Sequence, residues 1–162
     1  MTAEREIEQQ VLDYLKQTSE LWGRAERTEA TSTWAYRSVE AFLLEHGQFY
    51  APQTLPAKYR RFYAPVKYCY DNAYRMAKKY KLRYVEGVAT GIIVAGHAWC
   101  LDAEGRVLDP TWHDRNDNPE DRAYFGVVLP LQVVTRARRK TGASALHDWE
   151  HDFPLLQKPF VS

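Results

Sequence analysis

Four runs in the second half of the chain constrain the fold most: RYVEGVAT, GIIVAGHAWCL, RVLDPTW and YFGVVLPLQVV, between residues 83 and 134. Each is rich in β-branched and aromatic residues and is broken by Gly or Pro, the pattern of strands. The connections between them are short, which favours antiparallel pairing over crossover topologies. The runs before them repeat with a helical period. In residues 3–22, Ile7, Val11, Leu12, Leu15 and Leu21 line one face, and Gly23 is the expected stop. A second helix is expected from Thr31-Ser32-Thr33 to Gly47, and a third over residues 67–80, KYCYDNAYRMAKKY. Helices followed by strands predict an α+β fold, with N-terminal helices packed on a roughly four-stranded antiparallel sheet.

A chain of 162 residues suits a single domain. A helical extension over about 1–47 is expected to precede a core over about 66–135. The segment QFYAPQTLPAKYRRFYAP, 48–65, reads as an ordered loop, and one short helix is expected near Ala143–Glu150. With a net charge of +1, no global field recruits nucleic acid or an anionic membrane. No apolar run approaches the ~20 residues of a membrane span. The start, MTAEREIEQQ, has no apolar leader core, so a cytoplasmic protein is expected. Two cysteines, Cys69 and Cys100, fit a reducing compartment.

GHAWCLDAEGRVLDPTW, 96–112, carries the chemistry. Asp102-Ala103-Glu104-Gly105 reads as a type I turn followed by a left-handed Gly, a three-residue hairpin loop with a bulge. That loop pairs Asp102 with Arg106. Counting back, Trp99 opposes Asp109 and His97 opposes Thr111. His97 and Asp109 become diagonal neighbours on one face, ~7–8 Å apart at the backbone. A two-residue loop would shift the register and separate them. A carboxylate on one imidazole nitrogen fixes the tautomer and leaves the other nitrogen to exchange a proton. Cys69 is the candidate nucleophile. It stands near the start of a helix, after Pro65 and Lys67, where the helix dipole and a cation stabilise a thiolate. No G-x-S-x-G elbow offers a serine instead.

The order CYDNA (69–73), YVEG (84–87), HAW (97–99) and DPTW (109–112) resembles the transglutaminase-like branch of the papain-like cysteine hydrolases, over residues 66–128. The resemblance implies Cys69 as nucleophile, His97 as base and acid, and Asp109 as orienting residue. It implies acyl transfer from amides or esters through a thioester, without a cofactor. The substrate is then a protein, a peptide or a small amide. Gln53, Tyr68 and Asn72 are candidate oxyanion donors, and Trp99 is a candidate pocket wall.

Other readings stand beside this one. A cysteine in an amphipathic helix is also a small buried hydrophobe, and Cys100 is read that way. Glu86 either lines the pocket or is a solvated edge residue. Tyr124 and Phe125 are read as core. WHDRNDN (112–118) and HDWEHD (147–152) raise a metal site through His97, Asp109 and His113, but no H-E-x-x-H or paired C-x-x-C supports it, and no metal is expected. RARRK, 136–140, reads as a solvated basic run. A non-catalytic inhibitor or adaptor on the same scaffold is the alternative function.

Overall fold

The computed structural model describes residues 3–113, 118–141 and 144–161. The fold is α+β: five α-helices and a five-stranded antiparallel sheet, curled into a half-barrel, among the described residues. Helix α1 spans Ala3–Arg24, α2 Val39–His46, α3 Cys69–Tyr80, α4 Leu131–Thr141 and α5 Pro154–Gln157. The strands are β1 Gln48–Tyr50, β2 Arg83–Thr90, β3 Val94–Leu101, β4 Val107–Leu108 and β5 Tyr124–Leu129, in the spatial order β1-β5-β2-β3-β4. Among the described residues no helix is long and apolar enough to cross a membrane.

Several boundaries depart from the sequence reading for identifiable reasons. Helix α1 runs through Gly23 to Arg24, because a glycine on an exposed helix weakens it without ending it. Helix α2 begins at Val39, not in the Thr31 cluster. Ser38 is its cap, its Oγ accepting from the Ala41 N–H at 3.1 Å. Thr28 and Thr31 instead bond each other in a separate turn. The segment 48–65 opens with strand β1, which pairs with β5 far along the chain. The run YFGVVLPLQVV divides at Pro130. Pro130 has no N–H for the ladder, and its carbonyl accepts from the Val133 and Val134 N–H groups to start α4. Residues 144–148 form turns and Trp149–His151 a 3-10 turn; Ala143 lies outside the described residues.

Strand alternation divides the side chains between two faces. Tyr84, Val88, Ala98 and Cys100 face the helices, where they pack with Phe42, Leu43, Ala73 and Met76. Val85, Ala89, Trp99 and Leu101 line the concave face with Tyr50, Val107 and Tyr124. The curl brings the chain after β1 round to β4: the Val107 N–H donates to the Ala51 carbonyl at 2.9 Å. Gly87 on β2 stands opposite Gly126 on β5 and His97 on β3. A Cβ on Gly87 would lie 2.1 Å from the Phe125 carbonyl oxygen, so only glycine permits this approach.

Glu86 is fully buried on the helix side. Its carboxylate accepts from the Tyr84 hydroxyl (2.7 Å), the Ser144 hydroxyl (2.6 Å) and the Ala145 and Leu146 N–H groups (2.8 and 3.0 Å). It is neither a solvated edge residue nor a wall of the His97 face; it clamps the C-terminal segment to the sheet. Glu86→Ala orphans four buried donors and is expected to cost about 3–5 kcal/mol. The urea unfolding midpoint measures it, and a loss below about 1 kcal/mol would contradict the clamp.

Candidate active site

The hairpin closes through Asp102 N–H to Arg106 carbonyl at 3.0 Å and Gly105 N–H to Asp102 carbonyl at 3.2 Å, with Gly105 at φ +83°. The Asp102 carboxylate holds the turn, accepting from the Arg106 N–H (2.8 Å), Arg106 Nε (3.0 Å) and Gln53 Nε2 (2.9 Å). The ladder pairs Leu101 with Val107 and Cys100 with Leu108. Continued by that alternation, His97 and Asp109 share the concave face, where His97 Nε2 and Asp109 Oδ2 lie 2.8 Å apart.

Asp109 is 6% exposed and well supplied with donors. Pro110 lacks an N–H, so the chain turns here. Oδ1 then accepts from the Thr111 and Trp112 N–H groups at 2.8 and 3.2 Å. Oδ2 also accepts from the Tyr124 hydroxyl at 3.0 Å. Burial alone would push the carboxyl pKa up, but the facing His97 charge and these bonds hold it below its ordinary value. The group stays a carboxylate.

His97 is buried, stacked on Trp112 with ring centroids 3.9 Å apart and flanked by Trp99 at 6.2 Å. Burial pulls its pKa down. The Asp109 charge and hydrogen bond, followed by Cys69 as a second hydrogen-bonding and charge partner, outweigh burial and raise it from 6.5 to about 9. Asp109 occupies Nε2, which leaves Nδ1 for exchange. Because the folded value is the higher one, the imidazolium's contribution is complete below about pH 6.5 and fades as pH rises through about 9. Asp109 has the opposite sign: its contribution holds above its ordinary pKa and is lost on acidification. The wild-type melting temperature is therefore expected to fall between pH 6.5 and 9, a loss of about 3 kcal/mol. Thermal melts of His97→Ala lacking that decline would verify it; an identical decline would refute it.

Cys69 is the first residue of α3 and is partly exposed, whereas Cys100 is buried with its Sγ on the Ala73 carbonyl at 3.2 Å. Burial pushes the Cys100 thiol pKa up. Lys67 precedes the helix at φ +73°, in the left-handed region that costs a non-glycine residue of order 1 kcal/mol. Tyr68, the N-cap, makes no side-chain capping bond. The first-turn N–H groups beside Cys69 thus have no capping side chain from Tyr68. Strand β4 pairs with β3 only at Cys100 and Leu101. Beyond that point β3 has no outer neighbour in the sheet among the described residues.

The other expected residues have different work. Asn72 is fully buried; its Nδ2 donates to the Pro65 carbonyl (2.8 Å) and Thr111 Oγ1 (3.1 Å), and its Oδ1 accepts from Arg75 (2.9 Å). Both amide protons are spent, so Asn72 ties α3 to the segment after Asp109 and is not an oxyanion donor. Gln53 donates to Asp102 and lines a cleft together with Asp109, Trp112 and Tyr124. Tyr68 is 62% exposed beside Cys69. Trp99 is a buried wall of the His97 face, with an Nε1 that lacks a hydrogen-bond partner among the described residues. The sequence reading placed Tyr124 in the core without its hydroxyl bond to Asp109, and did not assign Thr111 a role; no local pattern marks either. Arg138 in the basic run bonds Asp71 at 2.5 Å, so that run is not wholly solvated.

His113 Nδ1 lies 2.7 Å from the Pro110 carbonyl, and residues 114–117 lie outside the described residues. Among the described residues, no three His, Cys, Asp or Glu side chains converge as metal ligands. Comparisons of the chain with protein-family models, with curated proteins and with solved structures found no match.

Proposed function

We propose that this protein is a cysteine-dependent acyl-transfer enzyme, a peptidase, amidase or transglutaminase-like enzyme built on a papain-like core. One observation carries the reading: the His97 ring is bonded to Asp109, and Cys69, at a helix start, stands close enough to contribute to raising the His97 pKa.

The Cys69 sulfur, as thiolate, adds to the substrate carbonyl carbon. The first-turn N–H groups of α3 are the available donors to the resulting oxyanion. As the C–N or C–O bond breaks, His97 Nδ1 passes its proton to the leaving amine or alcohol, and a thioester remains. Water or an amine then gives a proton to Nδ1 and attacks the thioester carbonyl, and the thiolate departs. Asp109 stays ionised throughout, holding the ring and balancing its charge. No cofactor enters these steps.

Iodoacetamide labelling read by mass spectrometry tests the thiol. Cys69 is expected to alkylate within minutes at neutral pH while Cys100 stays unmodified, and His97→Ala is expected to slow Cys69 by at least about tenfold. A sluggish Cys69 in the folded wild type would argue against catalysis.

A non-catalytic binding module is the second reading. It is favoured by the exposed Tyr63, Val66 and Tyr68 ahead of Cys69 and by Ile92 and Ile93 at the β2–β3 tip, 98% and 72% exposed. Full biological function in Cys69→Ala would decide for it.

A further inference from the structure

The net charge of +1 conceals an asymmetry along the chain. Residues 57–83 hold nine Lys or Arg and one acid, Asp71, so this stretch is +8 and the remainder of the chain is −7. The fold gathers the stretch onto helix α3. Tyr59 and Phe62 pack on Tyr80, with ring centroids 5.0 and 6.1 Å apart. Cations stand over these rings: Lys58 over Tyr59 at 4.7 Å, Arg75 over Phe62 at 5.1 Å and Lys79 over Tyr80 at 5.2 Å. On the same helix, Tyr74 carries Lys78 at 5.5 Å and Arg138 of α4 at 4.7 Å.

The carboxylate of Asp71 is doubly engaged, Oδ2 with Arg75 and Oδ1 with Arg138. Among the described residues, no carboxylate lies within ion-pair distance of the exposed Lys58, Lys78 and Lys79. Arg75 stands three and four residues before Lys78 and Lys79, a spacing at which like charges repel and weaken a helix. The positive face is thus maintained against its own repulsion. The ring contacts already restrict these side chains, so an anion that lands here costs less conformational entropy than one that must immobilise free lysines.

We propose that this face of α3 docks an acidic segment of a partner polypeptide, whose Asp and Glu side chains meet Lys58, Arg75, Lys78 and Lys79. The inference is independent of the role of Cys69. Charge complementarity sets the sign of the partner. The rings set its kind. Single-stranded nucleic acid stacks its bases on open aromatic faces, but here cations stand over Tyr59, Phe62, Tyr74 and Tyr80, each of which is buried or half-buried. A nucleic-acid duplex or an anionic membrane presents an extended negative surface, which the −7 on the rest of the chain opposes. A short acidic segment meets the positive face alone. Tyr63, 77% exposed, borders that face, its carbonyl accepting from Arg75 Nη2 at 3.0 Å, and offers such a segment an apolar contact.

Fluorescence anisotropy of a fluorescein-labelled octaglutamate peptide tests the proposal. The wild type is expected to bind it saturably, at least about tenfold more tightly than octaglutamine, with an affinity that falls several-fold between about 50 and about 200 mM salt. The double variant Lys78→Gln, Lys79→Gln is expected to lose about tenfold in affinity without a fall in melting temperature, because neutralising exposed like charges relieves repulsion. Lys58→Gln, on a different element, provides a second variant with the same direction. Arg24→Gln, at the end of α1, is the control and is expected to bind as the wild type does. Equal affinity for the two peptides, or wild-type affinity in the double variant, would overturn the docking face. Tighter binding of an oligothymidylate of equal charge, or cosedimentation with phosphatidylserine vesicles that octaglutamate fails to displace, would overturn the polypeptide assignment in favour of nucleic acid or membrane.

Discussion

In a stopped-flow assay with 4-nitrophenyl acetate, the wild-type protein is expected to release one nitrophenolate per chain in a burst, and Cys69→Ala none. Formation of the thioester frees one alcohol per thiol, and slower deacylation limits later turnovers. Cys100 cannot substitute: it is buried, its Sγ is engaged by the Ala73 carbonyl, and burial raises its pKa. On the proposed mechanism, His97→Ala removes the proton carrier, and Asp109→Asn removes the charge that holds Nε2. Groups that act as a unit are non-additive, so each single variant is expected to lose on the order of 10³–10⁴-fold or more, and the triple variant little more than the worst single one. Asn72→Ala is expected to do less, since it acts on the placement of α3 and its amide protons are already bonded. A full burst in Cys69→Ala would end the cysteine mechanism.

The largest loss of stability is expected at Gly87. An alanine Cβ there would meet the Phe125 carbonyl oxygen at 2.1 Å and Gly126 Cα at 2.4 Å. Both are backbone atoms of the paired strand, so no rotamer change relieves the clash; β2 and β5 must separate. Strand β2 lies at the centre of the sheet and holds His97 opposite Gly87. Gly87→Ala is expected to cost about 4 kcal/mol or more, enough to unfold a marginal domain. Gly126→Ala is expected to follow it, because its Cβ would lie 2.6 Å from the Glu86 carbonyl oxygen and 2.8 Å from Trp99 Cη2. Gly96→Ala is milder, since the obstructing Tyr70 hydroxyl ends a side chain that can rotate. Gly23→Ala is the control: its Cβ meets nothing within 4 Å, and a helical Ala should stabilise by about 0.5–1 kcal/mol. Urea midpoints rank the four. A Gly87→Ala protein as stable as wild type would refute the close approach.

The His97–Asp109 pair could be reasoned from sequence because every step was local. Gly105 forces a bulged turn, the turn sets the register, and a period of two assigns the faces. The α+β order followed from hydrophobic periodicity in the same way, as did the placing of Cys69 at the head of a helix. Tertiary structure decided what depends on segments distant in the chain. β1 joins β5 across more than seventy residues, the curl closes Ala51 onto Val107, and Tyr124 reaches Asp109 from another strand. It gave Glu86 and Asn72 work as clamps, since hydrogen-bond partners are set by what packs nearby, not by residue type. It also joined α4 to the basic face of α3 through Arg138 and Asp71. Local rules report a residue's conformation and face. Which distant surface meets that face is settled only when the chain buries its apolar area as a whole.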